Sequence, residues 1–186
     1  MSLDRHELFE KLLDQLQLKG QARRPFRNGR INALEIHAKS NRWQFDLQLE
    51  HLLPYRTFVD FYHRLLTAFK SIADVNVSFK VQHPRITNDL LQSYWSWVVK
   101  HSGLSASMVQ QLCGYDEPKL NDQRVTFAAQ NQVVKDFLEH SALKAIEQVY
   151  HRLGFVHLKI HVLVNPSQSQ AQLKAFKAKK AKADAK

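Results

Sequence analysis

The sequence lacks most of the residue patterns that mark enzymes and metal-binding proteins. Its single cysteine, Cys113, cannot form an internal disulfide, and no Cys/His spacing typical of zinc sites accompanies it. The five glycines lie far apart, at positions 20, 29, 103, 114 and 154, which excludes a glycine-rich phosphate loop. Acidic pairs of the Asp-x-Asp or Asp-x-Glu kind, which bind Mg²⁺, do not occur. We therefore predict no catalytic site, no metal site and no cofactor in this chain.

Long apolar segments are also missing. No run approaches the roughly 20 apolar residues that a membrane-spanning helix needs. Residues 2–18 are charged and amphipathic, unlike a signal peptide. An unpaired cysteine fits a reducing compartment. Together these absences predict a soluble, cytoplasmic protein without a membrane partner.

Positive charge is in surplus, but it is unevenly distributed. The 186 residues include 27 Lys and Arg against 17 Asp and Glu, a net charge of +10. Six lysines follow Leu173, where Asp184 is the single acid, so about half of the surplus belongs to the C-terminal tail. The bulk charge is therefore a weak argument for an acidic partner such as nucleic acid.

The chain begins with a helical and then an alternating pattern. Apolar residues recur at helical spacing over residues 3–18, and Gly20 is predicted to end this helix. The alternation that follows predicts a half-buried strand with Leu34, Ile36 and Ala38 on its buried face.

Three further elements complete the first half. Residues 42–50 have the clearest two-residue period in the chain, which predicts a second strand. Pro54 suits the first turn of an amphipathic helix, and alternation returns over residues 75–81. The pattern breaks at His83–Pro84, so we predict an αββαβ lobe over residues 1–83.

The second half predicts an ααβαβ lobe over residues 84–165. Its predicted elements are a helix capped by Thr87 or Asn88, a short helix capped by Ser105, a loop over 114–122, a strand over 124–128, a helix over 131–152 and a strand over 156–164. The fold class is therefore α+β, with two small α/β lobes and mostly antiparallel or mixed sheets. Residues 166–186 are Lys/Ala-rich and predict a basic linker or frayed helix that continues into a longer polypeptide.

Isolated reactive side chains have structural interpretations. His157 and His161 are predicted on one face of the last strand, about 13 Å apart, which is too far for one metal ion. Cys113 follows an apolar helix and is expected to be a small core residue. The neighbouring acids Asp116 and Glu117 are expected to be solvent-exposed.

Arg23, Arg24, Arg27 and Arg30 surround Phe26 in the connection between the first helix and the first strand. Arginines beside an aromatic ring can bind a nucleic-acid backbone and stack a base. The alternative is a solvated loop whose Phe26 packs back onto the core. The sequence leaves both interpretations open, so these five are candidate nucleic-acid-binding residues.

Trp95 and Trp97 lie in one predicted helix, in the run Tyr-Trp-Ser-Trp. Residues two positions apart on a helix point about 200° apart, so the two rings cannot share one face. One of them is expected near the surface, where tryptophan often anchors a protein partner. The alternative is packing at a seam between the two lobes.

Five segments together carry a family resemblance. They are GRINALEIHAKSNRWQFDLQLEHLLPYRTFVDF, HRLLTAF, DLLQSYWSWVV, the EPKL loop and YHRLGF. In combination they resemble the N-terminal region of PolC-type DNA polymerase III alpha subunits, the replicative polymerases of low-GC Gram-positive bacteria. The resemblance covers about residues 5–165.

The resemblance implies a larger DNA-directed DNA polymerase, a nucleotidyltransferase with a proofreading exonuclease. Its OB-fold, PHP, exonuclease and palm parts are not in these residues, so no catalytic residue is carried over. The resemblance also implies KH-like lobes, similar to the alpha-binding domain of the clamp-loader tau subunit. The G-x-x-G clamp of nucleic-acid-binding KH domains is absent.

Three hypotheses follow. The first is a non-catalytic adaptor that binds a replisome protein, with tau as the candidate partner, through Trp95 or Trp97 and a sheet edge. The second is a DNA-binding module that uses the arginines of residues 23–30 and the Lys tail. The third is a structural cap on the rest of the polymerase chain.

Overall fold

The computed structural model describes residues 4–114, 117–122 and 124–165. The helices are α1 (Arg5–Gln15), α2 (Tyr55–Ala68), α3 (Asn88–Lys100), α4 (Ala106–Cys113), α5 (Gln132–Phe137) and α6 (Leu143–Arg152). The strands are β1 (Arg30–His37), β2 (Arg42–His51), β3 (Asp74–His83), β4 (Lys119–Asn121), β5 (Arg124–Ala129) and β6 (Ile160–Val164). The predicted tail over 166–186 and Asp116 lie outside the described residues.

The predicted α+β class is confirmed. The chain forms two compact units, each with its own three-stranded sheet. In the described residues, unit 1 comprises 4–94 and 149–158, and unit 2 comprises 95–148 and 159–165. The division falls within α3 and within α6. The sequence-based division into residues 1–83 and 84–165 stays a prediction.

Unit 1 contains a mixed sheet of order β1-β2-β3. β1 pairs with β2 antiparallel, and β2 pairs with β3 parallel. The two-residue period of β2 buries Phe45, Leu47 and Leu49 on one face, which α2 covers. The opposite face carries polar side chains such as Gln44 and Asp46. The αββαβ succession and the mixed sheet agree with the sequence-based prediction.

Aromatic side chains fill the core of unit 1. The Tyr94 hydroxyl is buried and donates to the backbone oxygen of Leu53 at 3.0 Å, and its ring meets Phe155 at a centroid distance of 5.2 Å. Tyr150 is also buried and donates to the backbone oxygen of Leu91 at 2.8 Å. Each buried hydroxyl therefore has a partner, as a polar group in a core requires.

The end of α1 differs from the prediction. The helix stops at Gln15, and the left-handed residue that ends it is Gln17, with φ 56°; Gly20 is also left-handed, at φ 56°, but lies three residues further along the chain. Backbone N–H groups of Gln17 and Leu18 donate to the oxygens of Asp14 and Leu13 at 2.9 and 3.0 Å. This is the Schellman pattern, which satisfies the last carbonyls of a helix.

Unit 2 contains a second mixed sheet, of order β4-β5-β6. β4 pairs antiparallel with β5, so part of the predicted loop over 114–122 is a strand. The predicted cap at Ser105 is confirmed, since its hydroxyl accepts from Met108 N. Asn131 also caps a helix, because its side chain accepts from Val134 N. The helix predicted over 131–152 is continuous, but a π turn (Leu138–Ala142) separates α5 from α6.

The last strand is shorter than predicted. β6 begins at Ile160, because His157 has a left-handed φ of 60° and lies in a turn. The expectation that His157 and His161 share a strand face is therefore wrong. In β6 itself the alternation holds, with Ile160 and Val162 buried and His161 and Leu163 exposed.

Candidate interaction surface

Arg23 is held by acidic side chains of α1. Its guanidinium forms ion pairs with Glu10 and Asp14, and Nη2 also donates to the backbone oxygen of Glu10 at 3.3 Å. The hydrogen bonds that Arg23 donates to Asp14 and then to Glu10 raise the pKa of Arg23 above its ordinary value. This arginine anchors the connecting segment to α1, which leaves little of its charge for an external ligand.

Arg24 and Arg27 are different, because both are exposed. In the described part of the chain neither side chain has an ion-pair or hydrogen-bond partner. With Arg23, Glu10 and Gly20 they line an open groove of about 250 Å³, which we call the arginine groove. The groove carries two free guanidinium groups, enough to contact a phosphate.

Phe26 does not contribute to this groove. Its ring is 0% exposed and lies 5.1 Å from Phe61 and 6.3 Å from Phe9, centroid to centroid. A ring with no exposed surface cannot stack a base, so the core-packing interpretation holds for Phe26. Arg30 is also engaged, since its Nε and Nη2 donate to Gln48 Oε1 at 3.1 and 2.8 Å.

The two candidate tryptophans have different environments. Trp95 is 2% exposed in unit 2, where its Nε1 donates to the backbone oxygen of Leu112 at 3.2 Å and its ring lies 5.2 Å from Phe127. A partner cannot reach this ring while unit 2 is folded. Trp97 is half-buried and stacks on His101, with centroids 3.8 Å apart. Of the two, Trp97 stays the candidate for partner contact.

The structure exposes a surface that the sequence pattern had assigned to the core. Leu34 and Ile36 of β1 are 42% and 54% exposed, so the prediction of a buried face over Leu34, Ile36 and Ala38 is wrong. The two side chains share a face with buried Phe45, because Leu34 lies opposite Phe45 and Ile36 opposite Trp43. The helix layer that covers Phe45 therefore does not reach the outer half of β1.

Two half-buried aromatic rings extend this exposed surface. The Trp43 ring lies 5.2 Å from the ring of Phe69, which follows α2, and Phe69 lies 5.3 Å from Phe45. Leu34, Ile36, Trp43 and Phe69 thus form one apolar cluster, which we call the β1 patch. Clustered exposed apolar side chains are typical of interaction sites, whereas scattered ones need no explanation.

The backbone of β1 is unpaired on its outer side. β1 is an edge strand, and among the described residues no other strand than β2 pairs with it. α1 packs against its start, where His6 Nδ1 donates to the Gly29 oxygen at 2.7 Å. Residues 34–37 lie beyond this contact and are all exposed. The apolar patch and the open strand edge therefore coincide.

Charged side chains next to the β1 patch are mainly basic. Arg42 Nε binds Asp74 Oδ2 at 2.7 Å, which neutralises that carboxylate. Lys39 and Lys70 are exposed, and neither has an acidic partner in the residues the structure describes. The turns that carry them are joined by a 3.0 Å hydrogen bond from Asn41 Nδ2 to the oxygen of Ser71. The rim at this end of the sheet is therefore positive.

Features of metal centres and membrane spans are absent from the described residues. No group of three or more His, Cys, Asp or Glu side chains is placed to hold a metal ion there. Among the helices of residues 4–114, 117–122 and 124–165, none has the length and hydrophobicity to cross a bilayer. Cys113 is half-buried, with Sγ 3.8 Å from the Ser96 hydroxyl.

Comparison with known proteins identifies the family. Residues 8–79 match the family model of the DNA polymerase III polC-type N-terminus I, and residues 93–186 match that of N-terminus II. Proteins named DNA polymerase III PolC-type are similar over nearly the whole chain. The one from Pediococcus pentosaceus is 32% identical over 99% of the chain, and the one from Lacticaseibacillus paracasei is 34% identical over 100%. That from Bacillus subtilis is 26% identical over 92%.

The match concerns a small part of these relatives. The chain spans 12–13% of their length. No solved structure matches the chain, so the KH-like character of the two lobes stays a prediction. Since one family model alone covers half of the chain and the two together cover most of it, this chain belongs to the N-terminal region of the PolC-type DNA polymerase III family.

Proposed function

We propose that this chain is a non-catalytic protein-interaction module of a PolC-type replicative DNA polymerase, and that it binds its partner through the β1 patch. DNA synthesis and proofreading would be carried out by the other parts of such a polymerase. The observation that supports this function is the exposure of Leu34 and Ile36, 42% and 54%, on an unpaired edge strand.

The energetics favour a protein as the ligand of this surface. Full burial of a Leu or Ile side chain stabilises by about 1.5–3 kcal/mol, so covering the exposed halves of Leu34 and Ile36 contributes roughly 2 kcal/mol. Trp43 and Phe69 add aromatic surface of the kind enriched at interface hot spots. A nucleic-acid backbone offers no comparable apolar surface, whereas a protein partner does.

The clamp-loader tau subunit is the partner we propose. The family resemblance supports this choice, because it implies lobes similar to the domain of tau that binds the alpha subunit. The remainder of the polymerase chain is the competing occupant, in which case the module is a structural cap. These two occupants exclude each other, because tau cannot bind a β1 patch that the rest of the polymerase chain already covers.

Titration of purified tau with the 186-residue chain, followed by calorimetry, tests this function. Ile36→Asp places a charge in the centre of the patch and should weaken binding at least about tenfold, a loss of about 1.4 kcal/mol. Leu163→Asp is the matched control, because Leu163 is 56% exposed, also on an edge strand, but in unit 2. Equal affinity of the Ile36→Asp and Leu163→Asp chains would refute the β1 patch, and no binding of tau would refute the partner.

The arginine groove supports a second candidate function, DNA binding. Arg24 and Arg27 are exposed cations without a partner in the described residues, and a phosphate backbone is their natural ligand. If both contact phosphates of single-stranded DNA, replacing both by Ala should reduce the salt dependence of log K by about 1.4. The double variant Lys39→Ala/Lys70→Ala removes the same charge elsewhere in unit 1 and is the control. Identical salt slopes for the two double variants would refute a role of the arginine groove.

A further inference from the structure

We propose that the partner of the β1 patch binds by adding a strand to the open edge of β1, so that the sheet of unit 1 gains a fourth strand. This inference rests on the proposed function and specifies how the same surface recognises its ligand. It also specifies the ligand chemistry: an extended protein segment with apolar side chains at every second position and an acidic end.

The backbone geometry of β1 suits strand addition over a short stretch. A register shift between Ile31 and Ala33 marks a bulge, which interrupts regular pairing near the start of the strand. From Ala33 to His37 the register is regular, with each residue opposite one of β2. Residues 34–37 therefore offer about 13 Å of uninterrupted edge, enough for a segment of four or five residues.

The other edge of the same sheet is less suited to a partner. β3 buries Val75, Val77, Phe79 and Val81, and none of its large apolar side chains is exposed. Natural proteins protect open edges with charges, prolines or bulges, because such edges pair with other chains. The outer half of β1 has no proline and no bulge, and it presents Leu34 and Ile36 instead.

Alternation along β1 dictates the alternation of the ligand. Leu34 and Ile36 point to the helix side of the sheet, and Glu35 and His37 to the opposite side. A strand beside β1 meets the first pair with apolar side chains and the second pair with polar ones. An acidic residue opposite Glu35 would be repelled, so the positions between the apolar ones should be neutral.

The charge at the end of β1 determines where acidic residues belong. Asp74 is paired with Arg42 at 2.7 Å, and Glu35 points to the side of the sheet opposite the β1 patch. Lys39 and Lys70 are left with positive charge next to the last residues of β1 and to Phe69. A ligand whose end reaches these lysines is favoured when that end is acidic.

A synthetic peptide tests strand addition directly. The probe is an eight-residue peptide, capped at both termini, in which Val and Thr alternate between aspartates at each end; a second peptide has lysines in place of the aspartates. We expect the aspartate peptide to bind the 186-residue chain and the lysine peptide to bind at least about tenfold more weakly at low salt. Ile36→Asp should abolish binding of the aspartate peptide, whereas Leu163→Asp should not.

Amide hydrogen exchange, resolved residue by residue by NMR, reports the binding mode. Strand addition should slow exchange at alternate residues of 34–37, those whose N–H groups point away from β2, by at least about tenfold. The same alternate pattern should appear when tau is the ligand. A helix that docks on the patch through side chains alone would leave these amides unchanged.

Failure of this inference is distinguishable from failure of the proposed function. If tau binds and Ile36→Asp weakens it, but neither tau nor the aspartate peptide slows these amides, the patch is a binding site and strand addition is wrong. A dissociation constant of about 1 mM corresponds to a binding free energy of only about 4 kcal/mol. If the aspartate peptide does not bind even at about 1 mM, the proposed ligand chemistry is also wrong. If Ile36→Asp does not change the affinity for tau, both proposals are wrong.

Discussion

Replacement of Phe26 by alanine should destabilise unit 1 severely, although Phe26 lies in a polar, arginine-rich segment. Its side chain is 0% exposed, and its ring packs on those of Phe61 and Phe9 at 5.1 and 6.3 Å. Phe→Ala at a fully buried site costs about 3–5 kcal/mol in unfolding free energy. Because alanine cannot pack against either neighbouring ring, we expect about 4 kcal/mol at this position. Phe26→Leu keeps most of the volume and should cost less than about 1.5 kcal/mol.

Urea unfolding followed by tryptophan fluorescence measures this effect. The chain has three tryptophans, and in a background with Trp95→Phe and Trp97→Phe the remaining Trp43 reports on unit 1. Arg27→Ala is the control, because the exposed Arg27 side chain should change stability by no more than about 0.5 kcal/mol when it is removed. If Phe26→Ala were as mild as Arg27→Ala, the ring would not be a core residue and the stacking interpretation would return.

Three further predictions concern stability. Gly154→Ala should lower the free energy of unfolding more than Gly103→Ala does. Both glycines have positive φ (96° and 71°), but a Cβ at Gly154 would lie 2.4 Å from Val81 Cγ2, whereas a Cβ at Gly103 would have no heavy atom within 4 Å. We expect losses of about 3 and about 1 kcal/mol, measured by urea unfolding. Asn131→Ala removes a helix cap and should cost about 1 kcal/mol, whereas Asn131→Asp should not. Burial raises the pKa of Tyr94 above its ordinary 10. As pH rises, the Tyr94 hydroxyl therefore loses its proton in the unfolded chain before it does so in the folded chain. The free energy of unfolding should fall above about pH 10, and this fall should be less steep in the Tyr94→Phe variant.

The sequence predicts the elements of unit 1 better than it predicts which surfaces are covered. Alternation over residues 34–38 correctly indicates a strand, which ends at His37, and correctly groups Leu34 with Ile36. It does not indicate whether a helix lies over that group, because coverage depends on the length and position of α2. The exposed β1 patch is therefore invisible in the local pattern, although it resembles a core face in composition.

The candidate residues show the same limit. Helical geometry predicts that the side chains of Trp95 and Trp97 point in different directions. It does not predict which of the two is buried, because Trp95 packs against Phe127, which is distant in sequence. Phe26 is buried because its ring packs against Phe61, which lies too far along the sequence for a local pattern to predict the contact. The alternation around His157 resembles that of a strand, but His157 is not in β6. Its left-handed conformation belongs to the turn that precedes β6, and the local alternation does not reveal that turn.

Hydrogen exchange of a whole PolC-type polymerase, measured by mass spectrometry with and without tau, tests the central claim most directly. We predict that tau slows exchange in the peptide that contains β1 (Arg30–His37), and that Ile36→Asp removes this protection while Leu163→Asp preserves it. Protection that is absent from β1, or that survives Ile36→Asp, would contradict the assignment of the β1 patch as the partner-binding surface.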